Sequence, residues 1–232
     1  MSDERHYGLI GYPATGSLSP ELFAAAYHGR YSYSFIEEKD FANAWTRFID
    51  GEFRAVNVTA PHKKAAAEAA SWRSPEVLKT DAANILVKSP SGKILAYNSD
   101  VLAVRALCEP FASQASSAAV VGFGGAGRAA AAALGSLGLK PEIRRHNTLD
   151  RVLTADIVVC TLPQAVPGLE NIHCKWLLEA NYRNPLCRDI PEAGHYIGGL
   201  DWLKAQAALG YELMTGEATD SEAIFDCKLK IY

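Results

Sequence analysis

The chain has 232 residues, 49% of them hydrophobic and 21% charged, with a formal net charge of −3. That length can bury one large core or two small ones, and the missing basic excess speaks against nucleic acid as a partner. No apolar stretch reaches the roughly 18–20 residues of a membrane span, and Met1-Ser2-Asp3-Glu4-Arg5-His6 is too polar for a signal peptide. A soluble, cytoplasmic protein is expected. The five cysteines (Cys108, Cys160, Cys174, Cys187 and Cys227) are scattered, odd in number and without a CxxC pair. Buried free thiols are therefore expected, with neither a metal site nor a disulfide framework.

In chain order, Tyr7 to Gly11 reads as a short buried strand leaving through a Pro/Gly turn. Ser19-Pro20-Glu21 opens a helix, with Ser19 as N-cap, Pro20 at the first helical position, and Leu22, Phe23, Ala26 and Tyr27 as the apolar face. Tyr31 to Ile36 alternates as a strand, and Phe41, Trp45 and Phe48 form one helical stripe. Arg54 to Val58 is a further strand and Lys63 to Ala70 an alanine-rich helix. Asn84–Val87 and Ile94–Ala96 form a hairpin across Ser89-Pro90-Ser91-Gly92. Strand–helix alternation predicts α/β layering on a mainly parallel sheet.

A second unit starts after Asp100. Val101 to Phe111 is helical, residues 112–117 form a small polar linker, and Ala118 to Val121 is a strand. The turn Gly122-Phe123-Gly124-Gly125-Ala126-Gly127 follows, then a helix to Leu137 and a strand from Glu142 to Arg145. Strand, glycine turn and helix in this order are the context of a dinucleotide site. Gly122 allows the tight exit from the strand, Gly124 lets a pyrophosphate approach the backbone, and Gly127 lets the helix pack on the strand. The helix amino terminus then offers N–H groups and partial positive charge to phosphate. Arg144 and Arg145 at the end of the next strand suit a 2′-phosphate, whereas Glu142 lies at its start, so NADP is favoured over NAD. Ile157–Thr161 and Leu177–Ala180 are strand candidates, and Gly199–Leu213 and Asp220–Asp226 are helices.

Two residues with acid–base chemistry stand beside these elements. Lys63 follows a strand, in a loop containing Pro61, and such carboxyl-end loops line the ligand crevice of open α/β sheets. Asp100 follows Tyr97-Asn98-Ser99 at the junction of the two units. Lys64 reads as a plain surface charge.

These segments resemble the shikimate dehydrogenase family. Tyr7 to Pro13 with Ser17-Leu18-Ser19-Pro20 is similar to the family's opening G-x-P-x-x-H-S-x-S-P. Asn57-Val58-Thr59-Ala60-Pro61-His62-Lys63 matches N-V-T-x-P-x-K. Ala82-Ala83-Asn84 resembles G-A-V-N, Asn98-Ser99-Asp100 resembles N-T-D, and Gly122 to Ala126 matches G-A-G-G-A. Gly199-Leu200-Asp201-Trp202-Leu203 with Gln206-Ala207 is similar to G-L-x-M-L-x-x-Q-A.

The resemblance implies reversible, NADP-dependent reduction of 3-dehydroshikimate to shikimate, in aromatic amino acid biosynthesis, by a monomer or homodimer. It implies an N-terminal α/β substrate domain (1–100, completed by 199–232) and a shortened Rossmann-like NADP domain (101–198). By carry-over, Lys63 and Asp100 form the catalytic pair, the proton donor being either one. Ser17 and Ser19 hold the substrate carboxylate with Tyr182, while Thr59, Asn84, Asp100 and Gln206 bind its ring hydroxyls. Gly122, Gly124, Gly125, Ala126, Gly127, Arg144, Arg145 and Thr161 hold the cofactor, and no metal is implied.

Several positions depart from the family pattern. Gly16 stands for the histidine before Ser17, and Ala103 for a glycine after Asp100. Arg145-His146-Asn147 takes the place of N-R-T, and Cys160-Thr161-Leu162-Pro163-Gln164 that of N-A-T-P-x-G-M. Too few residues follow Arg145 for the usual helix–strand unit before Ile157. A quinate/shikimate-type dehydrogenase and a non-catalytic shikimate-binding relative are the alternatives.

Overall fold

The computed structural model describes residues 5–145, 149 and 151–229. The chain divides into two units: one runs to Ser99 and resumes at Gln206, the other spans Asp100 to Ala205. The return to the first unit thus falls inside a helix, between Ala205 and Gln206, and Asp100 is the first residue of the second unit.

The first unit contains β1 (His6–Gly11), α1 (Ser19–Ala26), β2 (Ser32–Glu37), α2 (Phe41–Asp50), β3 (Phe53–Val58) and α3 (Lys63–Ala69). It continues through β4 (Trp72–Arg73), α4 (Pro75–Thr80), β5 (Ile85–Lys88) and β6 (Ile94–Tyr97). The strands form one sheet in the order β2-β1-β3-β5-β6-β4. β1 runs parallel to β2 and β3, whereas β5 is antiparallel to both β3 and β6. β4 is parallel to β6, so β5 alone runs against the other five strands and the sheet is mainly parallel, as expected. The short Ser89–Gly92 turn returns the chain antiparallel at this one place.

Alternation along β1 and its neighbours supplies two apolar faces. On one, Ile10, Ile36, Val56, Val58 and Leu86 pack with Ala44 and Phe48 of α2, Ala66 and Ala67 of α3, and Val77 of α4. Helix α2 is ordered by its own sequence. Asp40 caps it by accepting the Asn43 N–H, a contact worth about 1 kcal/mol, and Trp45 meets Phe41 and Phe48 one helical turn away at 5.8 and 6.0 Å. On the opposite face the Tyr7 ring lies 5.0 Å from Phe23 of α1, and Phe23 lies 4.9 Å from Tyr211.

The same triplet, Ser-Pro-Glu, opens α1 and α4 but does different things. Ser74 has extended backbone and accepts the Val77 N–H, so it caps α4. Ser19 is itself helical; Leu18 is the capping position, and no side chain caps α1. The expectation that Ser19 is an N-cap is corrected, and its hydroxyl is available for other partners.

The second unit contains α5 (Ser99–Ala112), β7 (Ala118–Val121), α6 (Gly125–Ser136), β8 (Glu142–Arg144), β9 (Leu153–Cys160), β10 (Ile172–Glu179) and β11 (Ala193–Ile197). It also holds the start of α7 (Gly199–Thr215), while α8 (Ser221–Asp226) belongs to the first unit. Its sheet, β11-β10-β9-β7-β8, is parallel throughout. One face packs on α5 and α6 through Val104, Cys108, Ala129, Ala133 and Leu134. The other face is covered by connecting segments, including Leu149, Leu162, Leu169 and Ile190. Among the described residues between β8 and β11 the sole helical piece is a 3-10 turn at Leu169–Asn171. Among the described residues, that face is thus covered by connecting segments rather than by regular α-helices. All five cysteines are free, but Cys174 and Cys227 are half-buried rather than buried. Among the described residues no helix is long and apolar enough to cross a membrane.

Candidate active site

The topology of the first sheet gathers the sequence-predicted residues along one edge. Ser17 and Ser19 follow the carboxyl end of β1, and Thr59 and Lys63 follow that of β3. Because β5 is antiparallel to β3, Asn84, immediately before β5, falls at the same end, and so does Ser99, which follows β6. Backbone bonds fix this edge: Thr59 N–H donates to Ile10 C=O, Val58 N–H to Asn84 C=O, and Asn84 N–H to Tyr97 C=O.

Asn84, Ser99 and Gln206 form a hydrogen-bonded triangle. The Asn84 side-chain amide donates to Ser99 Oγ at 3.0 Å and to Gln206 Oε1 at 3.3 Å, while the Ser99 hydroxyl donates to Gln206 Oε1 at 3.2 Å. Asn84 Oδ1 in turn accepts the Ser99 N–H at 2.8 Å. Both Asn84 and Ser99 are buried, so removing one member leaves unsatisfied groups. Asn84→Ala is expected to cost about 1–3 kcal/mol, read as a lower unfolding midpoint. An unchanged midpoint would show that the triangle does not order this edge.

Ser17 and Ser19 are brought together: Ser17 Oγ donates to Ser19 Oγ at 3.1 Å and accepts the Ser19 N–H at 3.3 Å. The buried Tyr211 phenol donates to the Ser19 carbonyl at 3.1 Å, and the Tyr33 phenol donates to Asn57 Oδ1 at 2.8 Å. Burial raises the pKa of both phenols. They stay protonated at neutral pH and remain donors. Neither tyrosine was legible as a site residue, because each reads as an ordinary apolar position of its strand or helix.

Lys63 and Lys64 differ in what surrounds them. Lys64 is exposed and pairs with Glu68 one turn along α3 at 3.7 Å. Lys63 is half-buried and its carbonyl accepts the Ala83 N–H, which ties the head of α3 to the segment before Asn84. The first turn of α3 contains no acidic residue, and a cation at a helix amino terminus opposes the helix dipole. Buried His62 holds the same loop through a 2.7 Å bond between Nε2 and the Glu38 carbonyl.

In the second unit, Asp100 lies in the first turn of α5 and is half-buried. Tyr182 lies in the loop after β10, with the Arg183 guanidinium 5.6 Å from its ring centre. That loop is held by Asn181, whose side chain donates to the Pro163 carbonyl at 3.2 Å and accepts the Asn184 N–H.

The glycine turn borders a cavity of about 330 Å³ lined by Gly122, Phe123, Gly124, Arg145, Thr161, Leu162 and Pro163. Gly122 has φ +89°, and a Cβ on Gly127 would lie 2.2 Å from the Gly122 carbonyl oxygen. Thr161 closes the back of the turn by donating its hydroxyl to the carbonyls of Val121 and Gly122 at 3.1 and 3.2 Å. The front differs: a Cβ on Gly124 or Gly125 would meet no atom within 4 Å. Gly125, Ala126 and Gly127 form the first turn of α6, which has neither a side-chain cap nor an acidic residue there. Open approach, uncapped helical N–H groups and an arginine at the rim fit a dinucleotide phosphate.

Arg144 does not line this cavity. Its guanidinium pairs with Glu142 two residues back on β8, at 2.6 Å, because side chains two apart share a strand face. Arg145 is the residue of the pair that reaches the cavity. His146 and Asn147 lie outside the described residues. Phe123, Leu162 and Pro163 line the cavity without having been predicted; Phe123, an exposed aromatic inside a glycine turn, was the available signal. Among the described residues no cluster of His, Cys, Asp or Glu could hold a metal ion.

Residues 9–86 match the model of the shikimate dehydrogenase substrate-binding domain family. The NADP(+) shikimate dehydrogenase of Halobacterium salinarum is 40% identical over 163 residues, 65% of this chain and 59% of that protein. The chain thus spans less than two thirds of the curated relatives it matches. The solved shikimate dehydrogenase of Mycobacterium tuberculosis is 28% identical with a TM-score of 0.78, covering 95% of this chain and 97% of that one. The Thermus thermophilus enzyme, solved in complex with NADP(H) and shikimate, superposes with a TM-score of 0.80 at 23% identity, covering 96% and 98%.

Proposed function

We propose that this chain, whose residues 9–86 belong to the shikimate dehydrogenase substrate-binding family, catalyses the reversible NADP-dependent reduction of 3-dehydroshikimate to shikimate. The observation that carries this reading is the single sheet edge holding Ser17, Ser19, Thr59, Lys63, Asn84 and Ser99. Residues up to Ser99 with those from Gln206 onward would form the substrate domain, and residues 100–205 the cofactor domain.

The bound nicotinamide would supply the hydride. Gly122, Gly124, Gly125, Ala126, Gly127 and Thr161 would shape the turn that receives its pyrophosphate, and Arg145 would meet the 2′-phosphate. Lys63 stabilises the oxygen of the substrate carbonyl as negative charge develops, and it or Asp100 delivers the proton. Ser17 and Ser19, together with Tyr182, take the substrate carboxylate through hydroxyl donors. Thr59, Asn84, Asp100 and Gln206 match the ring hydroxyls, with Gln206 oriented by Ser99 and Asn84.

Absorbance at 340 nm, followed with NADP+ and shikimate and then with NAD+ and quinate, tests the proposal. Reduction is expected to be fastest with NADP+ and shikimate. Shikimate binding without reduction of either cofactor would replace the enzyme by a non-catalytic binding protein, and preference for quinate would move the substrate assignment.

A further inference from the structure

We infer that Glu37 is a positioning residue for the substrate carboxylate site, holding the turn that presents Ser17 and Ser19. The inference rests on the assignment of those serines proposed above. Glu37 is the last residue of β2 and pairs in register with Gly11, the last of β1. Its side chain therefore stands at the carboxyl edge, beside the segment that leaves β1. One oxygen, Oε2, accepts the Ala14 N–H at 3.0 Å, the Thr15 N–H at 2.7 Å and the Thr15 hydroxyl.

Those donors are the opening residues of a turn. Ser17 N–H donates to the Ala14 carbonyl at 3.1 Å, and between them Gly16 takes φ +86°, a conformation that favours glycine. Glu37 thus binds the first half of a four-residue turn whose last residue is Ser17, and Ser17 Oγ in turn holds Ser19. The glycine that lets the chain turn also makes the segment easy to deform in other ways. An external tether from β2 restores one geometry.

The tether is ionic in character. The Thr15 hydroxyl and backbone N–H, followed by that of Ala14, hold the Glu37 carboxyl below its usual pKa against the opposing effect of desolvation. It is a carboxylate throughout the neutral range, and its hydrogen bonds are charge-assisted. A glutamine keeps one acceptor and the same length but loses the charge, so it should hold the turn less firmly. An alanine releases it.

A residue that only places a ground-state binding loop changes KM and leaves kcat alone. Glu37→Ala is expected to raise KM for shikimate at least about tenfold and Glu37→Gln about two- to fivefold, with kcat at saturation within about twofold of wild type and KM for NADP+ unchanged. Calorimetric binding of shikimate should weaken in the same order. Glu37→Gln, which preserves shape, gives the answer if the alanine variant does not fold. Ser17→Ala is measured in parallel. If Ser17→Ala raises KM while both Glu37 variants match wild type, the positioning role is wrong and the serine assignment stands. If Ser17→Ala itself leaves KM and shikimate affinity unchanged, the carboxylate site lies elsewhere and the role of Glu37 falls with it. Equal losses in kcat and in both KM values from Glu37→Gln would mark a general structural defect and overturn the inference.

Discussion

Replacing Lys63 by alanine is expected to lower kcat by roughly two to four orders of magnitude, the scale of a positioned proton-transfer group, with a small change in KM for shikimate. The ammonium is assigned to the substrate oxygen, where charge builds only as hydride arrives, so its loss weighs on the transition state more than on binding. Lys64→Ala is the matched control. Lys64 is exposed and meets Glu68 on the helix surface, an exposed pair worth at most a few tenths of a kcal/mol. Steady-state kinetics of both variants decide the matter. Equal losses would show that the general charge of this helix end, rather than Lys63, matters to the reaction.

The second large effect is expected at Gly127. A methyl group there would sit 2.2 Å from the Gly122 carbonyl oxygen and 3.1 Å from Thr161 Oγ1. Backbone, unlike the end of a flexible side chain, cannot swing away. Gly127→Ala must therefore push α6 off β7 or open the turn, at a cost of about 1–3 kcal/mol for overpacking. KM for NADP+ should rise by an order of magnitude or more, since roughly 1.4 kcal/mol corresponds to tenfold in affinity. Gly124→Ala separates packing from cofactor approach, because its methyl would meet no protein atom. That variant should unfold like wild type and still bind NADP+ more weakly. Wild-type cofactor affinity in Gly124→Ala would place the pyrophosphate away from this turn.

Much of this fold was legible because its elements announce themselves locally. The Phe41, Trp45 and Phe48 stripe, the Ser89–Gly92 hairpin turn and the strand–glycine–helix unit at Val121 all carry their own periodicity or turn chemistry. Elements lacking such signals were missed. β4 is two residues long and α4 six, too short for a repeat to show, although Ser74-Pro75-Glu76 marked the start of α4. β11 is a half-exposed edge strand without an apolar run. Composition could not separate Ser19 from Ser74, since the backbone angle of one residue decides which serine caps its helix.

The site was legible to the extent that its residues are consecutive. Asn57 to Lys63 and Asn98 to Asp100 stand out as short runs, whereas the Glu37 tether, the Tyr33 and Tyr211 phenols and the division of labour between Arg144 and Arg145 depend on long-range pairing or on strand alternation. Glu37 lies 22 positions from Thr15 in sequence, and only the parallel register of β1 and β2 makes them neighbours.

The most direct test of the proposed reaction is isotopic. Shikimate carrying deuterium on the carbinol carbon that becomes the ketone is incubated with the protein and NADP+, and both products are analysed by mass spectrometry. Hydride transfer requires one deuterium in the reduced cofactor and none at that carbon in 3-dehydroshikimate. Reduced cofactor without the label, or recovery of labelled shikimate beside unreduced NADP+ at saturating concentrations of both, would contradict it.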